Sequence, residues 1–162
     1  MSLTAAQQDY IEIIYILEQE EPKKKLRIKD IAERLGTKLP TVTRTVKKLT
    51  ELGYLSHKSH GGVSLTSSGT LIAEELSHLH NDITLFFSEI LGIPKKQAAA
   101  DACQTEHTLS PQTAQKIHEF LIYYKDLNEK DKKIISNFKN IKKKEPKKFN
   151  NIPKKPTSGW RY

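Results

Sequence analysis

The chain has 162 residues and a mass of 18.5 kDa, a length suited to one compact domain or two small lobes. Its net charge of +8 and pI near 9.4 point to a polyanionic partner, either nucleic acid or an anionic surface. A single cysteine excludes an intrachain disulfide and suits a reducing cytoplasm. No stretch approaches the roughly 18 apolar residues that span a bilayer, and the N-terminus lacks a basic segment followed by an apolar run, so no membrane role is expected.

Charge is unevenly spread. Residues 22–60 hold eleven basic against three acidic side chains and residues 125–162 hold thirteen against four, whereas residues 1–21 carry five acidic residues and no basic one. Positive charge therefore sits in one segment patterned for folding and in one tail. In chain order, Tyr10, Ile11, Ile13, Ile14 and Leu17 predict a helix over residues 4–20 with Thr4 available as N-cap. Pro22 and three lysines end it. Ile28, Ile31, Ala32 and Leu35 then form the apolar stripe of a short helix closed by Gly36. A tight turn leads to a third helix that starts near Pro40 and runs through Val42, Val46, Leu49 and Leu52 to Gly53. Residues 54–66 alternate around Gly61 and Gly62, a hairpin signal.

A long helical pattern begins near Ser67, carries Leu71, Ile72, Leu76, Leu79, Ile83, Phe87 and Ile90, and stops at Gly92 and Pro94. Helices are expected near 94–107 and near 111–126, the second with Ile117, Phe120, Leu121 and Tyr124 on one side. Their summed apolar surface is small for an independent core, which points to pairing with a second copy. Ile134, Ile135, Phe138 and Ile141 suggest one more amphipathic helix, and the Lys-, Pro- and Asn-rich end reads as flexible. The expected fold is mainly α, with a winged helix-turn-helix followed by helices.

On the third helix the apolar face leaves Thr41, Thr43, Arg44, Lys47 and Lys48 turned elsewhere, with Lys38 and Pro40 at its start. Arg44 suits a guanine edge, the threonines a thymine methyl or a phosphate, and the lysines phosphates. Lys58, with His57 and His60, stands at the hairpin tip within reach of a neighbouring backbone. Lysines on an isolated amphipathic helix usually just solvate it. Here they coincide with a helix-turn-helix and wing, which favours double-stranded DNA.

A second constellation has metal-ligand chemistry. Asp9 and Glu12 share a face of the first helix, a pattern that by itself fits a solvated surface. Cys103, Glu106 and His107, at i, i+3 and i+4, bring thiol, carboxylate and imidazole to one helical face. His80 on the long helix is a further donor, whereas His78 points elsewhere. Taken singly, each has a plain structural reading, Cys103 as a small core residue and His107 as a satisfied histidine.

Asp9-Tyr10-Ile11-Glu12, Ile31-Ala32-Glu33-Arg34-Leu35, Pro40-Thr41-Val42-Thr43-Arg44-Thr45-Val46, the wing leading into Leu65-Thr66, and Cys103-x-x-Glu106-His107-x-Leu109-Ser110 together resemble the diphtheria-toxin-repressor and manganese-transport-regulator family over residues 4–126. The resemblance implies a winged helix-turn-helix DNA-binding domain (1–66), a helical metal-binding and dimerisation domain (67–144) and a basic tail (145–162). It implies Asp9, Glu12, His80, Cys103, Glu106 and His107 as ligands, and a homodimer that regulates metal-ion homeostasis, usually as a repressor. Asp9 and Glu12 match the manganese-responsive branch, while Cys103 matches the iron-responsive one. A thiolate favours Fe2+, Co2+ or Zn2+, and the carboxylates also accept Mn2+. Thr84 and Ala99 stand where the iron branch places ligands of a second site, which is therefore expected to be absent, and the length leaves no room for the SH3-like third domain of longer relatives. Two other readings remain at this stage: a metal-independent winged-helix regulator in which Cys103 is structural or redox-sensing, and a metal hydrolase using Glu106 as base. The second lacks a His-Glu-x-x-His motif or a partnered nucleophile, so no enzyme is expected.

Overall fold

The computed structural model describes residues 3–58 and 62–137. The hairpin tip with His60, the expected helix positions Phe138 and Ile141, and the basic tail 145–162 lie outside the described residues. Two compact units are present, one extending to Leu76 and the other beginning at Ser77.

The first unit holds α1 (Ala5–Glu20), α2 (Ile28–Leu35), α3 (Leu39–Glu51), β1 (Leu55–Lys58), β2 (Gly62–Leu65) and the start of α4 (Ser67–Leu85). Thr4 opens α1 with a capping box. Its hydroxyl accepts from the Gln7 N–H while the Gln7 side chain accepts from the Thr4 N–H, which satisfies two donors that the helix itself leaves unpaired. The apolar face buries Tyr10, Ile11, Ile13, Ile14 and Leu17 against Ile31 and Ala32 of α2 and Val42, Val46 and Leu49 of α3. Each fully buried aliphatic side chain of this kind contributes on the order of 1.5–3 kcal/mol.

Gly36 sits at φ 61°, a left-handed conformation that a Cβ would penalise. There its N–H bonds to Glu33 O and that of Thr37 to Ala32 O. This Schellman pattern stops α2 and turns the chain directly into α3. The wing is an antiparallel pair in register Leu55↔Leu65 and His57↔Val63. It has a third participant that the sequence pattern did not announce: Leu26 bridges Val63, whose N–H donates to Leu26 O at 2.8 Å. Glu18 of α1 adds a carboxylate oxygen that accepts the Leu65 N–H at 3.0 Å.

Thr66 ties the wing to the next helix. Its hydroxyl lies 2.7 Å from Gly53 O and 3.1 Å from Tyr54 O as donor, and accepts from the Gly69 N–H at 3.1 Å. The first turn of α4 thereby presses on the end of the α3–β1 connection, and a Cβ on Gly69 would overlap the Tyr54 carbonyl oxygen. Gly69→Ala, normally favourable within a helix, is therefore expected to destabilise the protein by about 1–3 kcal/mol through overpacking. Thermal denaturation of the two proteins checks this, and an unchanged or raised Tm would contradict it.

The second unit continues α4 into a π-helical turn, Phe86–Ile90, followed by α5 (Lys95–Thr105), α6 (Pro111–Asp126) and α7 (Glu129–Asn137). The sequence reading expected a single uninterrupted helix here. Instead the Leu91 N–H bonds to Phe86 O, which inserts an extra residue and rotates the following side chains. Phe86 meets Phe120 of α6 edge-on, ring centres 5.7 Å apart. Ser110 caps α6 by accepting the Thr113 N–H, and Pro111 follows where its missing N–H costs nothing. Ile83, Ile90, Ala98, Ala102 and Leu121 are buried, while Ile122, Tyr123 and Ile134 are exposed. This small core beside exposed apolar side chains is what the limited apolar surface of these helices led one to expect. Among the described residues no helix is long and apolar enough to cross a membrane.

Candidate metal centre and nucleic-acid interface

His80 on α4 and Glu106 and His107 after α5 converge within the second unit, although His80 and Glu106 are 26 residues apart in sequence. Glu106 is only 4% exposed. Its Oε2 lies 2.8 Å from His80 Nδ1, and its Oε1 lies 3.5 Å from His107 Nε2. When Nδ1 carries the proton, His80 donates to the carboxylate and keeps its lone pair on Nε2, the tautomer in which an imidazole serves as a ligand. Cys103, half-buried, stands one helical turn before Glu106.

The sequence reading set Cys103, Glu106 and His107 on one helix, and here the structure differs. α5 ends at Thr105. Glu106 keeps helical dihedrals, φ −54° and ψ −38°, and its N–H still bonds to Ala102 O, but His107 lies in the turn beyond. The Thr108 and Leu109 N–H groups both bond back to Thr105 O, closing the chain before Ser110, which the following proline holds extended.

An ionised carboxylate removed from water needs compensating charge or donors. Glu106 Oε1 is buried with no hydrogen-bond donor among the described residues. A buried carboxylate oxygen beside two imidazoles matches the mixed O and N donor set of a divalent transition metal, so the residues present fit such an ion. Asp9 and Glu12 belong to the first unit, half-buried one turn apart on α1. Thr84, at a position the resemblance assigned to an absent second site, is buried, and its hydroxyl has no hydrogen-bond partner among the described residues.

In the first unit the buried face of α3 is Val42, Val46 and Leu49. Pro40, Thr43, Arg44, Lys47 and Lys48 are exposed, Thr41 is half-buried, and Lys38 is exposed at the N-cap. Lys48 lies 3.8 Å from Glu51, a solvent-screened pair. Lys58 closes β1. Around the helix-turn-helix, Lys23, Lys24, Lys25, Arg27 and Lys29 are also exposed; the Glu21 carboxylate hydrogen-bonded to Lys24 raises that ammonium's pKa.

Two supporting interactions lie outside the sequence reading. Burial raises the pKa of the Tyr10 phenol, and the Thr45 hydroxyl and the Arg44 charge partly offset this. The tip of a core tyrosine therefore meets α3 beside its one arginine. A tyrosine on an apolar helical face is a signal for such a polar contact, since its hydroxyl seeks a partner when buried. Arg34 of α2 pairs with Glu20 of α1 at 3.0 Å.

A mainly helical chain with an exposed cationic recognition helix, a short wing and a second helical unit bearing a buried carboxylate–imidazole cluster defines a winged-helix regulator with a metal-type centre. Residues 2–63 match the family described as iron dependent repressor, N-terminal DNA binding domain. Residues 66–135 match iron dependent repressor, metal binding and dimerisation domain. The chain belongs to this family of metal-dependent transcriptional repressors. It is 33% identical over 119 residues to an uncharacterized HTH-type transcriptional regulator of Methanocaldococcus jannaschii, covering 74% of this chain and 94% of that one. It is 34% identical over 134 residues to the HTH-type transcriptional regulator MntR of Bacillus subtilis, covering 82% and 92% respectively. A solved manganese-dependent transcriptional repressor in complex with manganese superposes with TM-score 0.64 at 30% identity, over 71% of this chain and 52% of that structure. The chain thus spans about half the length of that structure.

Proposed function

We propose that this chain is a homodimeric repressor that binds double-stranded operator DNA when loaded with a divalent transition metal, and that it governs metal-ion homeostasis in the cytoplasm without enzymatic activity. The observation that carries this reading is the buried Glu106 carboxylate between His80 and His107, in a chain whose other unit presents a cationic recognition helix. In this reading residues 1–66 bind DNA, residues 67–144 bind metal and dimerise, and the tail from 145 adds charge.

The ligands proposed are Asp9, Glu12, His80, Cys103, Glu106 and His107. A bound divalent cation supplies positive charge that these donors share, and it needs no redox step. Glu106 would orient His80 and contribute its own oxygens, His107 and Cys103 would add softer donors, and Asp9 and Glu12 would supply carboxylate oxygens from α1. Fe2+ and Mn2+ suit the set best, and Co2+ and Zn2+ also fit. Regulation follows if the DNA-competent arrangement binds metal more tightly than the incompetent one, because each ligand then strengthens binding of the other.

Fluorescence anisotropy with duplexes selected by the protein from random sequence tests the proposal. Mn2+, or Fe2+ kept reduced, is expected to tighten DNA binding about 5- to 150-fold, the usual span of an allosteric coupling, and chelation to reverse it. Equal affinity with and without metal would leave the metal-independent regulator as the answer.

A further inference from the structure

Three helices of the first unit meet at the two residues that join the wing to α4. The Leu65 N–H donates to the Glu18 carboxylate of α1 at 3.0 Å. The Thr66 hydroxyl accepts from the Gly69 N–H at 3.1 Å, as an N-cap of α4 would. Its proton is directed the other way, 2.7 Å from Gly53 O and 3.1 Å from Tyr54 O, and the Thr66 N–H also donates to Tyr54 O at 3.0 Å. Gly53 and Tyr54 close the C-terminal end of α3, because their N–H groups bond back to Thr50 O and Leu49 O. Two of the helices tied here, α1 and α4, are those that carry Asp9, Glu12 and His80.

A cap needs only an acceptor. Thr66 caps α4 with an oxygen lone pair, so the proton it gives to Gly53 and Tyr54 does nothing for α4 and instead fastens that helix to the end of α3. Packing at the same place leaves little play. Gly69 is buried, and a Cβ there would overlap the Tyr54 carbonyl oxygen, so the first turn of α4 rests directly on the backbone that follows α3. From Ser67 to Leu85 α4 is uninterrupted, with His80 on it. A shift of α4 imposed at His80 therefore reaches the end of α3 through a continuous helix and a hydrogen-bonded joint, with no loop to absorb it. Packed and hydrogen-bonded rigid elements of this kind carry energetic coupling between distant sites.

We propose that the Thr66 hydroxyl is a joint through which metal binding on α4 is coupled to the recognition helix. Thr66 is a positioning residue, acting through α3 and α4 rather than by contact with metal or DNA. This rests on the metal-dependent DNA binding proposed above. Coupling belongs to the bond donated to the end of α3, not to the capping of α4.

The test compares the full-length protein with three variants by anisotropy on the duplex that wild type selects, at saturating Mn2+ and after chelation, and titrates Mn2+ calorimetrically into each DNA-free protein. Thr66→Ser keeps the hydroxyl and should keep the wild-type ratio of the two DNA affinities. Thr66→Asp can still accept the Gly69 N–H, which preserves the cap and the fold, but it holds no proton for Gly53 and Tyr54. Thr66→Val loses both contacts. In the Asp and Val variants the tightening by Mn2+ is expected to fall about 2- to 30-fold, the span for residues within a coupled network, while the Mn2+ affinity of the DNA-free protein stays unchanged. Because the ratio is compared, a uniform effect of the added charge cancels. Wild-type coupling in Thr66→Asp, or a loss of DNA affinity that is equal with and without Mn2+, makes Thr66 a plain helix cap and overturns the joint while leaving the regulator intact. Loss of coupling in Thr66→Ser overturns it as well. Absence of Mn2+-stimulated DNA binding by the wild type overturns both the joint and the proposed function.

Discussion

Glu106→Gln is expected to weaken metal binding about a hundredfold and to remove most of the metal-stimulated DNA affinity, while leaving the metal-free fold intact. The substitution keeps the shape of a side chain that is 4% exposed and removes only its charge. His80 Nδ1, 2.8 Å away, retains an amide oxygen to bond, but the anionic donor is lost. Even ligand-orienting partners of a metal site are worth ten- to a hundredfold in affinity, and Glu106 is proposed both to orient and to ligate. Calorimetric titration with Co2+ or Mn2+ reads the affinity directly. Thermal denaturation gives a second readout: at free metal of one hundred times Kd, binding stabilises the native state by about 2.7 kcal/mol, and most of that shift should vanish in the variant. Cys103→Ser in the same Co2+ series should lose the near-ultraviolet thiolate charge-transfer band. A wild-type metal response in Glu106→Gln would remove this cluster from the metal site.

Arg44→Ala carries the second large effect. Arg44 is the only arginine on α3 and lies exposed on the side away from Val42, Val46 and Leu49. A guanidinium so placed can make a bidentate contact with the O6 and N7 of guanine. Loss of that contact is expected to cost about 1–3 kcal/mol on the selected operator and much less on random DNA, with an unchanged salt slope. An equal loss on every sequence, with the salt slope reduced by about one, would make Arg44 a phosphate contact instead. Lys47→Ala should behave in that second way.

Much of the architecture is legible because its causes are local. Thr4 and Gln7 cap α1 from adjacent positions, Gly36 ends α2 by its own dihedral, and Ser110 with Pro111 starts α6. The amphipathic spacing of α3 separates the buried valines from Arg44 and Lys47 before any partner helix is known. Elements whose causes are distant were missed or misplaced. The Leu26–Val63 bridge and the Glu18–Leu65 hydrogen bond join segments 37 and 47 residues apart. The π-helical turn accompanies packing of the Phe86 ring against Phe120, which no periodicity within α4 records. The end of α5 at Thr105 differs from the expected 107 for a local reason, since Glu106 still obeys helical dihedrals while the chain is already turning toward Ser110.

The sequence by itself determined the placement of the groups proposed to carry the chemistry: cations on one face of α3, and thiol, carboxylate and imidazole at i, i+3 and i+4 in Cys103, Glu106 and His107. These properties follow from residue type and helical period, which need no neighbours. The tertiary structure decided how those groups are placed. It buries the Glu106 carboxylate and brings His80, 26 residues away, against it. It also sets the Thr66 hydroxyl between Gly53 O and the Gly69 N–H. Desolvation and hydrogen-bond pairing depend on what the rest of the chain packs around a side chain, and that is set only when distant segments meet.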